Sequence, residues 1–282
     1  MKKILTVGGD SKIGKSIFNH FRNLPVLLAK TTRRRDCRSD ETFFFDGKFE
    51  QLDALKSFNP DIVVWALGVS GYNQCKEDIK TSHFANVTML EQFIENFPNL
   101  SNFIFLSSTA VFDKHSGHYN HESPTLPASV YGKQKQRGEH IIQQNVRNFS
   151  ILRLGKVLTP DWELVENWTT AIKNKKEIHA FCDLFFSPVL ISSISHFIEE
   201  IYVLKSKNIF HCTNSKTISY VELAEKIVTE ISGDLNLIKQ RKCNFEQMTD
   251  GGSGHVVLQP SKAFESIHLD PLEIPFQKWF TT

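Results

Sequence analysis

Between residues 4 and 154 the chain alternates short β-rich apolar runs with stripes of helical period, and few folds accept that order. Strands separated by helix-length segments do not pair as hairpins; they close as βαβ units around a parallel sheet with helices on its faces. Ile4 to Val7 reads as the first strand, and Ile13, Ile17 and Phe21 recur at i+4 along the helix after it. Val26 to Ala29 is the second strand, Thr42 to Phe45 the third, and Ile62 to Ala66 a continuous apolar fourth. Phe84, Val87, Leu90, Ile94 and Phe97 mark one face of a long helix. Phe103 to Leu106 follows as a buried strand, a helix spans about Ser129 to Gln144, and Phe149 to Leu154 is a further strand. The fold class is α/β, with a doubly wound parallel sheet.

Beyond Gly155 the alternation loosens. Ile209 to Cys212 still reads as a strand, and Ser219-Tyr220-Val221-Glu222 as a capping box opening a helix through Leu223, Ile227 and Ile231. This divides the chain into a domain over 1–155 and a smaller lobe over 156–282. Asp250-Gly251-Gly252-Ser253-Gly254 reads as a loop within the lobe, because apolar segments resume at Val256 and at Phe276 to Phe280.

Composition removes several functions. A chain of 282 residues, 40% hydrophobic, can bury a large core. Its 33 basic residues against 31 acidic ones leave a net charge of +2, no field for a phosphate backbone, so nucleic acid is not an expected partner. The run Ile4 to Val7 is too short for a signal-peptide core or a membrane span and no later segment is long enough, so a cytoplasmic protein without a membrane partner is expected. Cys37, Cys75, Cys182, Cys212 and Cys243 are odd in number, widely spaced and without a Cys-x-x-Cys pair; they read as reduced, mostly buried thiols.

Directly after the first strand stands Gly8-Gly9-Asp10-Ser11-Lys12-Ile13-Gly14. At such a strand-to-helix turn a dinucleotide pyrophosphate meets backbone N–H groups and the positive end of a helix. Gly8 and Gly14 fill the outer places of a G-x-x-G-x-x-G spacing, and Ser11 stands at the middle one. A serine serves there if its φ is negative, and its hydroxyl could donate to a phosphate oxygen. A tight turn that binds nothing has the same sequence.

The end of the second strand distinguishes the nicotinamide cofactors: an acidic residue there holds a ribose 2′-OH, basic residues a 2′-phosphate. Here the chain reads Ala29-Lys30-Thr31-Thr32-Arg33-Arg34-Arg35. Guanidinium forks and a threonine hydroxyl suit the phosphate, so NADP is expected ahead of NAD, with a solvated basic loop as the competing reading. Asp46, after the third strand, fits as an acceptor for the adenine amino group.

Three further pieces carry chemistry: Leu106-Ser107-Ser108-Thr109-Ala110-Val111-Phe112 after a strand, Tyr131-Gly132-Lys133-Gln134-Lys135 on a helix, and Gly138-Glu139. Tyr131 and Lys135 at i and i+4 share one helix face. An ammonium near a phenol favours the phenolate and draws the tyrosine pKa down. Such a tyrosine gives a proton to a carbonyl oxygen as hydride reaches the carbon, or removes one from a hydroxyl in reverse. Ser108 could hold the same oxygen, and Lys135 could also contact the nicotinamide ribose. A Tyr-x-x-x-Lys pair alone is as well explained by an amphipathic surface; its order after a Gly-rich turn and a Ser-Ser strand end carries the assignment.

At these residues the chain resembles the extended short-chain dehydrogenase/reductase family, and within it the dTDP-4-dehydrorhamnose reductase group of nucleotide-sugar reductases. The resemblance spans nearly the whole chain and rests on Val7 to Gly14, Trp65-Ala66-Leu67-Gly68, Asn86-Val87, Ser107 to Asp113, Tyr131 to Lys135 with Gly138-Glu139, and Leu152-Arg153-Leu154. It implies a Rossmann-type dinucleotide-binding domain and a smaller C-terminal substrate-binding lobe, with at least one segment of the lobe returning to the first domain. It adds Ala66, Leu67, Gly68 and Asn86 to a cofactor-binding set of Gly8, Asp10, Ser11, Lys12, Ile13, Gly14, Lys30, Thr32, Arg33, Arg34 and Asp46. It also implies a nucleotide-sugar substrate, a substrate-lobe segment starting at Ser187-Pro188-Val189, and a homodimer formed through the helices of Asn86 and Tyr131.

Departures from the family pattern narrow the chemistry. Its dehydratases carry Asp-Glu after the catalytic Ser/Thr, where this chain has Thr109-Ala110, so elimination is not expected. GDP-fucose synthases place a Cys where Thr109 stands, and rhamnose reductases usually carry Thr-Asp-Tyr where this chain has Ser108-Thr109-Ala110. The expected function is NADPH-dependent reduction of a 4-keto nucleotide sugar, with Ser108, Tyr131 and Lys135 as the catalytic set. A nucleotide-sugar epimerase or another NAD(P)-dependent dehydrogenase of this fold is an alternative. So is a non-catalytic NADP-binding regulatory subunit, which Ser11 favours.

His115, His118 and His121 lie in a polar stretch without supporting Cys or carboxylate order, so no metal is expected; a solvated or substrate-covering loop is. Phe181, Phe185 and Phe186 read chiefly as core, with stacking on a sugar or base as the lesser reading, and Trp162 and Trp168 fit either role.

Overall fold

The computed structural model describes residues 1–37, 39–47, 52–100, 102–113, 117–158, 162–204, 207–213, 216–243 and 256–262. The elements run β1 (Lys3–Val7), α1 (Lys12–Phe21), β2 (Leu27–Thr32), β3 (Thr42–Phe44), α2 (Leu52–Phe58) and β4 (Ile62–Trp65). Then come α3 (Tyr72–Glu77), α4 (Ile79–His83), a π turn (Phe84–Thr88), α5 (Met89–Asn96), β5 (Asn102–Ser108), β6 (Gly117–Tyr119), α6 (Val130–Asn145) and β7 (Phe149–Leu154). The remainder is β8 (Lys156–Leu158), α7 (Glu163–Lys173), β9 (Ile178–Phe181), β10 (Phe185–Phe186), β11 (Pro188–Leu190), α8 (Ile191–Ile201), β12 (Lys207–Cys212), β13 (Ile218–Ser219), α9 (Tyr220–Glu230), β14 (Ile238–Arg241) and β15 (Val256–Leu258).

Seven strands join in the order β12-β7-β5-β4-β1-β2-β3. β1 pairs in parallel with both β2 and β4, at Leu5 opposite Ala29 and Val63, so the winding reverses between β1 and β4. Ligands of open α/β sheets sit outside the carboxyl ends of the strands at such a reversal, and here those ends are Val7 and Trp65. Gly8 follows Val7 at φ +90°, and a Cβ there would lie 2.6 Å from Leu67 N; the bare backbone lets the two strand ends lie side by side.

By contacts the chain forms two units. The first takes residues 1–113, 124–153 and 194–210, and the second the described residues of 114–123, 154–193 and 211–282. The core of the first is aromatic: Trp65 and Phe93 meet edge-on at 5.2 Å, and Phe93 stacks on Phe97 at 4.3 Å. In the second, Trp168 and Phe186 are buried with Ile178, Leu190 and the apolar face of α9. The capping box of α9 is present, with Ser219 and Glu222 each bonding the other's backbone N–H. Among the described residues no helix is long and apolar enough to cross a membrane.

Three expectations change. β2 continues past Ala29 to Thr32, because Lys30, Thr31 and Thr32 pair with Thr42, Phe43 and Phe44 of β3. The long helix is interrupted: the π turn carries an extra residue, breaks the 3.6-residue phase, and leaves Phe84 42% exposed while Val87 and Leu90 are buried. The polar stretch holding His118 contains a strand, β6, made by pairing with β15 and not by propensity. His115, the loop Asp250 to Gly254 and the apolar segment Phe276 to Phe280 lie outside the described residues. Of the five cysteines, Cys75 and Cys212 are buried, Cys182 and Cys243 half-buried, and Cys37 exposed.

Candidate active site

The Gly-rich turn holds itself together. Ser11, at φ −69°, caps α1 by accepting from Gly14 N at 3.0 Å, and its hydroxyl donates to Gly8 O at 2.8 Å. The negative φ removes the need for glycine at this position. The hydroxyl proton anticipated for a phosphate oxygen is engaged inside the turn. Gly8 N donates to Thr31 Oγ1 at 2.9 Å, which fastens the turn to β2.

Asp10 is similarly committed. Its carboxylate accepts from Thr32 Oγ1 at 2.9 and 3.1 Å and from Arg33 N at 3.0 Å. Burial acts to raise its pKa, but those bonds and the positive charges of Arg34 and Lys30 hold it below the usual carboxylate value. The Lys30 ammonium lies over the Phe18 ring at 4.6 Å, while Arg33 and Arg34 are exposed just beyond β2. Lys12 is exposed and Ile13 half-buried at the start of α1; Asp46 is half-buried after β3.

After β4, Ala66, Leu67 and Gly68 run into a clamp built by Asn86. Its Oδ1 accepts from Val69 N at 2.7 Å, and its Nδ2 donates to Val69 O at 3.0 Å and to Gln134 Oε1 at 2.7 Å. Gln134 Nε2 continues to Ser82 Oγ at 2.9 Å. Asn86 therefore ties the loop after β4 to α6, and it sits in the π turn. The role of Gln134 is visible in sequence only as a polar residue inside the Tyr-x-x-x-Lys spacing.

α6 starts at the Ser129 cap, which accepts from Gly132 N at 3.0 Å. One turn in, a Cβ on Gly132 would lie 2.0 Å from Ala110 O, so the helix rests backbone to backbone on the segment after Ser108. This contact brings the catalytic candidates together. Tyr131 is buried, with Ser108 as a neighbour of its phenol, and lies edge-on to Tyr72 at 5.5 Å. Lys135 Nζ donates to Leu106 O at 2.9 Å and lies 6.0 Å from the Tyr131 ring centre.

The electrostatics differ from the sequence expectation. Burial, with Tyr72 adding to it, raises the Tyr131 pKa against the Ser108 hydrogen bond, so the phenol keeps its proton. Burial also takes the Lys135 pKa down to about 8, with Glu139 acting in the opposite direction. Desolvation outweighs the Tyr–Lys attraction that the i, i+4 spacing suggests.

In the second unit, Ser187 is buried before β11, Phe186 packs on Tyr220 at 5.0 Å as core, and Phe181 carries the Arg241 guanidinium at 4.3 Å. Lys156, which carries no signal in the sequence, is a half-buried lysine above Trp162 at 4.5 Å; burial lowers its pKa. His118 is exposed, and His121 pairs loosely with Glu122 at 4.0 Å. A groove among Lys3, Arg22, Leu27, Glu41 and Phe58 lies at the amino ends of β1 and β2, the wrong end of the sheet for this chemistry.

A reversing parallel sheet, a Gly-rich turn at its switch point and a Ser, Tyr, Lys set define the class: the extended short-chain dehydrogenases/reductases. Within that class the chain belongs to the RmlD substrate binding domain family, whose model matches residues 1–246. It is 21% identical over 233 residues to the spore coat polysaccharide biosynthesis protein SpsK of Bacillus subtilis (strain 168), covering 82% of this chain and 80% of that one. Two solved structures share the fold. The hypothetical dTDP-4-dehydrorhamnose reductase from Sulfolobus tokodaii has a TM-score of 0.80 at 19% identity over 100% of both chains. The dTDP-4-dehydrorhamnose reductase of Bacillus anthracis str. Ames, in complex with NADP, has a TM-score of 0.75 at 14% identity over 93% and 91%.

Proposed function

We propose that the chain is an NADPH-dependent reductase of a 4-keto nucleotide sugar, with Tyr131 as general acid. The observation that carries this reading is the buried Tyr131 phenol, with Ser108 beside it and Lys135 one turn further along the same helix. The residues present fit a dinucleotide: the Gly-rich turn leads into the N-terminus of α1 at the switch point, and Arg33 and Arg34 stand exposed where a 2′-phosphate would be held. The NADP complex of the Bacillus anthracis relative supports the choice of cofactor.

NADPH, when bound, would supply the hydride. Ser108 would donate a hydrogen bond to the keto oxygen and orient it. Tyr131, kept protonated by its surroundings, would give its proton to that oxygen as negative charge develops there. Lys135, an ammonium below pH about 8, would stabilise the phenolate left behind and hold the nicotinamide ribose. Thr109 and Ala110 offer no acid for elimination, which favours reduction over dehydration. Pairing of two chains through the helices of Asn86 and Tyr131 is part of the same reading; Ile79 and Phe84 are exposed along the first.

NADPH consumption with a panel of 4-keto nucleotide sugars tests the proposal. Tyr131→Phe is expected to lower kcat about 10²- to 10⁴-fold, the usual share of a general acid. An unchanged rate removes Tyr131 from the mechanism. A non-catalytic NADP-binding subunit is the second reading, favoured by the Ser11 hydroxyl being engaged within the turn. It predicts NADP binding without turnover of any member of the panel.

A further inference from the structure

A carboxylate in a phosphate-binding turn is at odds with its expected ligand, since the cofactor brings several negative charges to the same place. Asp10 is such a carboxylate, and its bonds show where its charge is used. It accepts from Thr32 Oγ1 and from Arg33 N, while Thr32 Oγ1 accepts from Arg34 N at 3.1 Å. The turn after β1 and the basic end of β2 are thereby locked into one body, with Thr32 buried at its centre.

We propose that Asp10 and Thr32 form a latch that sets the preference for a 2′-phosphate-bearing cofactor, as positioning residues for Arg33 and Arg34. The proposal rests on the NADP reading above. Arg33 and Arg34 are exposed, and loosely held guanidinium groups must be ordered by the ligand at a cost in affinity; a fixed backbone removes part of that cost. The latch holds the segment that meets the 2′-phosphate, the one group by which NADP differs from NAD. Its loss therefore weakens NADP more than NAD.

The test is the ratio of NADP⁺ to NAD⁺ affinity for the full chain, with adenosine 2′,5′-bisphosphate against 5′-AMP as fragments and melting temperature as the check on folding. Thr32→Val keeps the shape and removes the hydroxyl; it is expected to lower the ratio about tenfold, the worth of roughly one charge-assisted hydrogen bond. Thr32→Ser is expected to restore most of it. Asp10→Asn separates the latch from simple charge: removal of a negative charge alone would tighten both cofactors, whereas a broken latch lowers the ratio. A ratio unmoved in Thr32→Val and Asp10→Asn, or equal weakening of both cofactors, overturns the latch and leaves the NADP reading standing. A wild-type chain that binds the 2′,5′-bisphosphate no tighter than 5′-AMP overturns both.

Discussion

Glu139 and Arg153 form a buried ion pair at 2.8 Å, with side chains 3% and 4% exposed, and the same carboxylate accepts from Ser107 Oγ at 2.5 Å. Glu139 lies one turn beyond Lys135 on α6, and Ser107 immediately precedes Ser108, so the pair braces both elements that carry the candidate catalytic residues. Glu139→Gln would leave a buried guanidinium without its counter-charge, and Arg153 Nη1 already has no partner among the described residues. The expected loss is about 3–5 kcal/mol of stability, the cost of breaking a buried pair from one side. Urea unfolding measures it, and a loss below about 1 kcal/mol would show that the pair is not load-sharing in the fold.

The pH dependence of kcat/KM should follow Lys135. Its pKa is lowered to about 8, so the ammonium form is present below that pH and lost above it, and reduction should fall as pH rises through about 8. Stability moves the other way. Between about 8 and the ordinary 10.5 the unfolded chain binds a proton that the folded chain does not, so this group's contribution rises with pH in that window. Lys135→Met should remove that part of the pH dependence, read as the difference in urea midpoint from wild type. A rate profile flat across the window would exclude an essential Lys135 ammonium.

Gly132→Ala should separate the catalytic pieces. The added methyl would sit 2.0 Å from Ala110 O, a backbone atom that cannot swing aside, so α6 must move off the segment after Ser108. The expected cost is about 1–3 kcal/mol of overpacking, with a larger proportional fall in kcat because Tyr131 is carried away from Ser108. If melting temperature falls while kcat is retained, the contact is structural only.

Ser11 can be assigned by two substitutions. As a helix cap, Ser11→Ala should cost about 1 kcal/mol and Ser11→Gly only a few tenths, since glycine is tolerated at this position. As a phosphate donor, both would lose cofactor affinity equally. Thermal melts and NADP titration of the two variants distinguish these outcomes, and the hydroxyl's bonds to Gly8 O and from Gly14 N favour the cap.

Much of the frame was legible because it is encoded locally. The β1 and β7 runs, the helix from about Ser129 and the capping box at Ser219 are written within a few consecutive residues, and the structure places them as read. The Tyr131 and Lys135 spacing likewise requires only that the segment be helical. Hidden were the features that depend on partners elsewhere in the chain: the π turn at Asn86, strand β6 in a polar stretch, and the raised Tyr131 pKa.

The sequence by itself determined the strand-helix alternation of a parallel sheet and placed the Gly-rich turn, the Ser-Ser strand end and the Tyr131 and Lys135 spacing within it, because periodicity and turn chemistry act over one or two turns of chain. Only the tertiary structure decided how polar side chains are employed. Asp10 reaches Thr32 across 22 positions and Asn86 reaches Gln134 across 48. A buried polar group takes whatever donor or acceptor the fold brings to it, because leaving it unpaired costs more than any local preference can offset. The side chains of Asp10, Ser11 and Asn86, which the sequence offers for a cofactor, bond instead to the protein itself, where they hold the turn and the loop after β4 in shape.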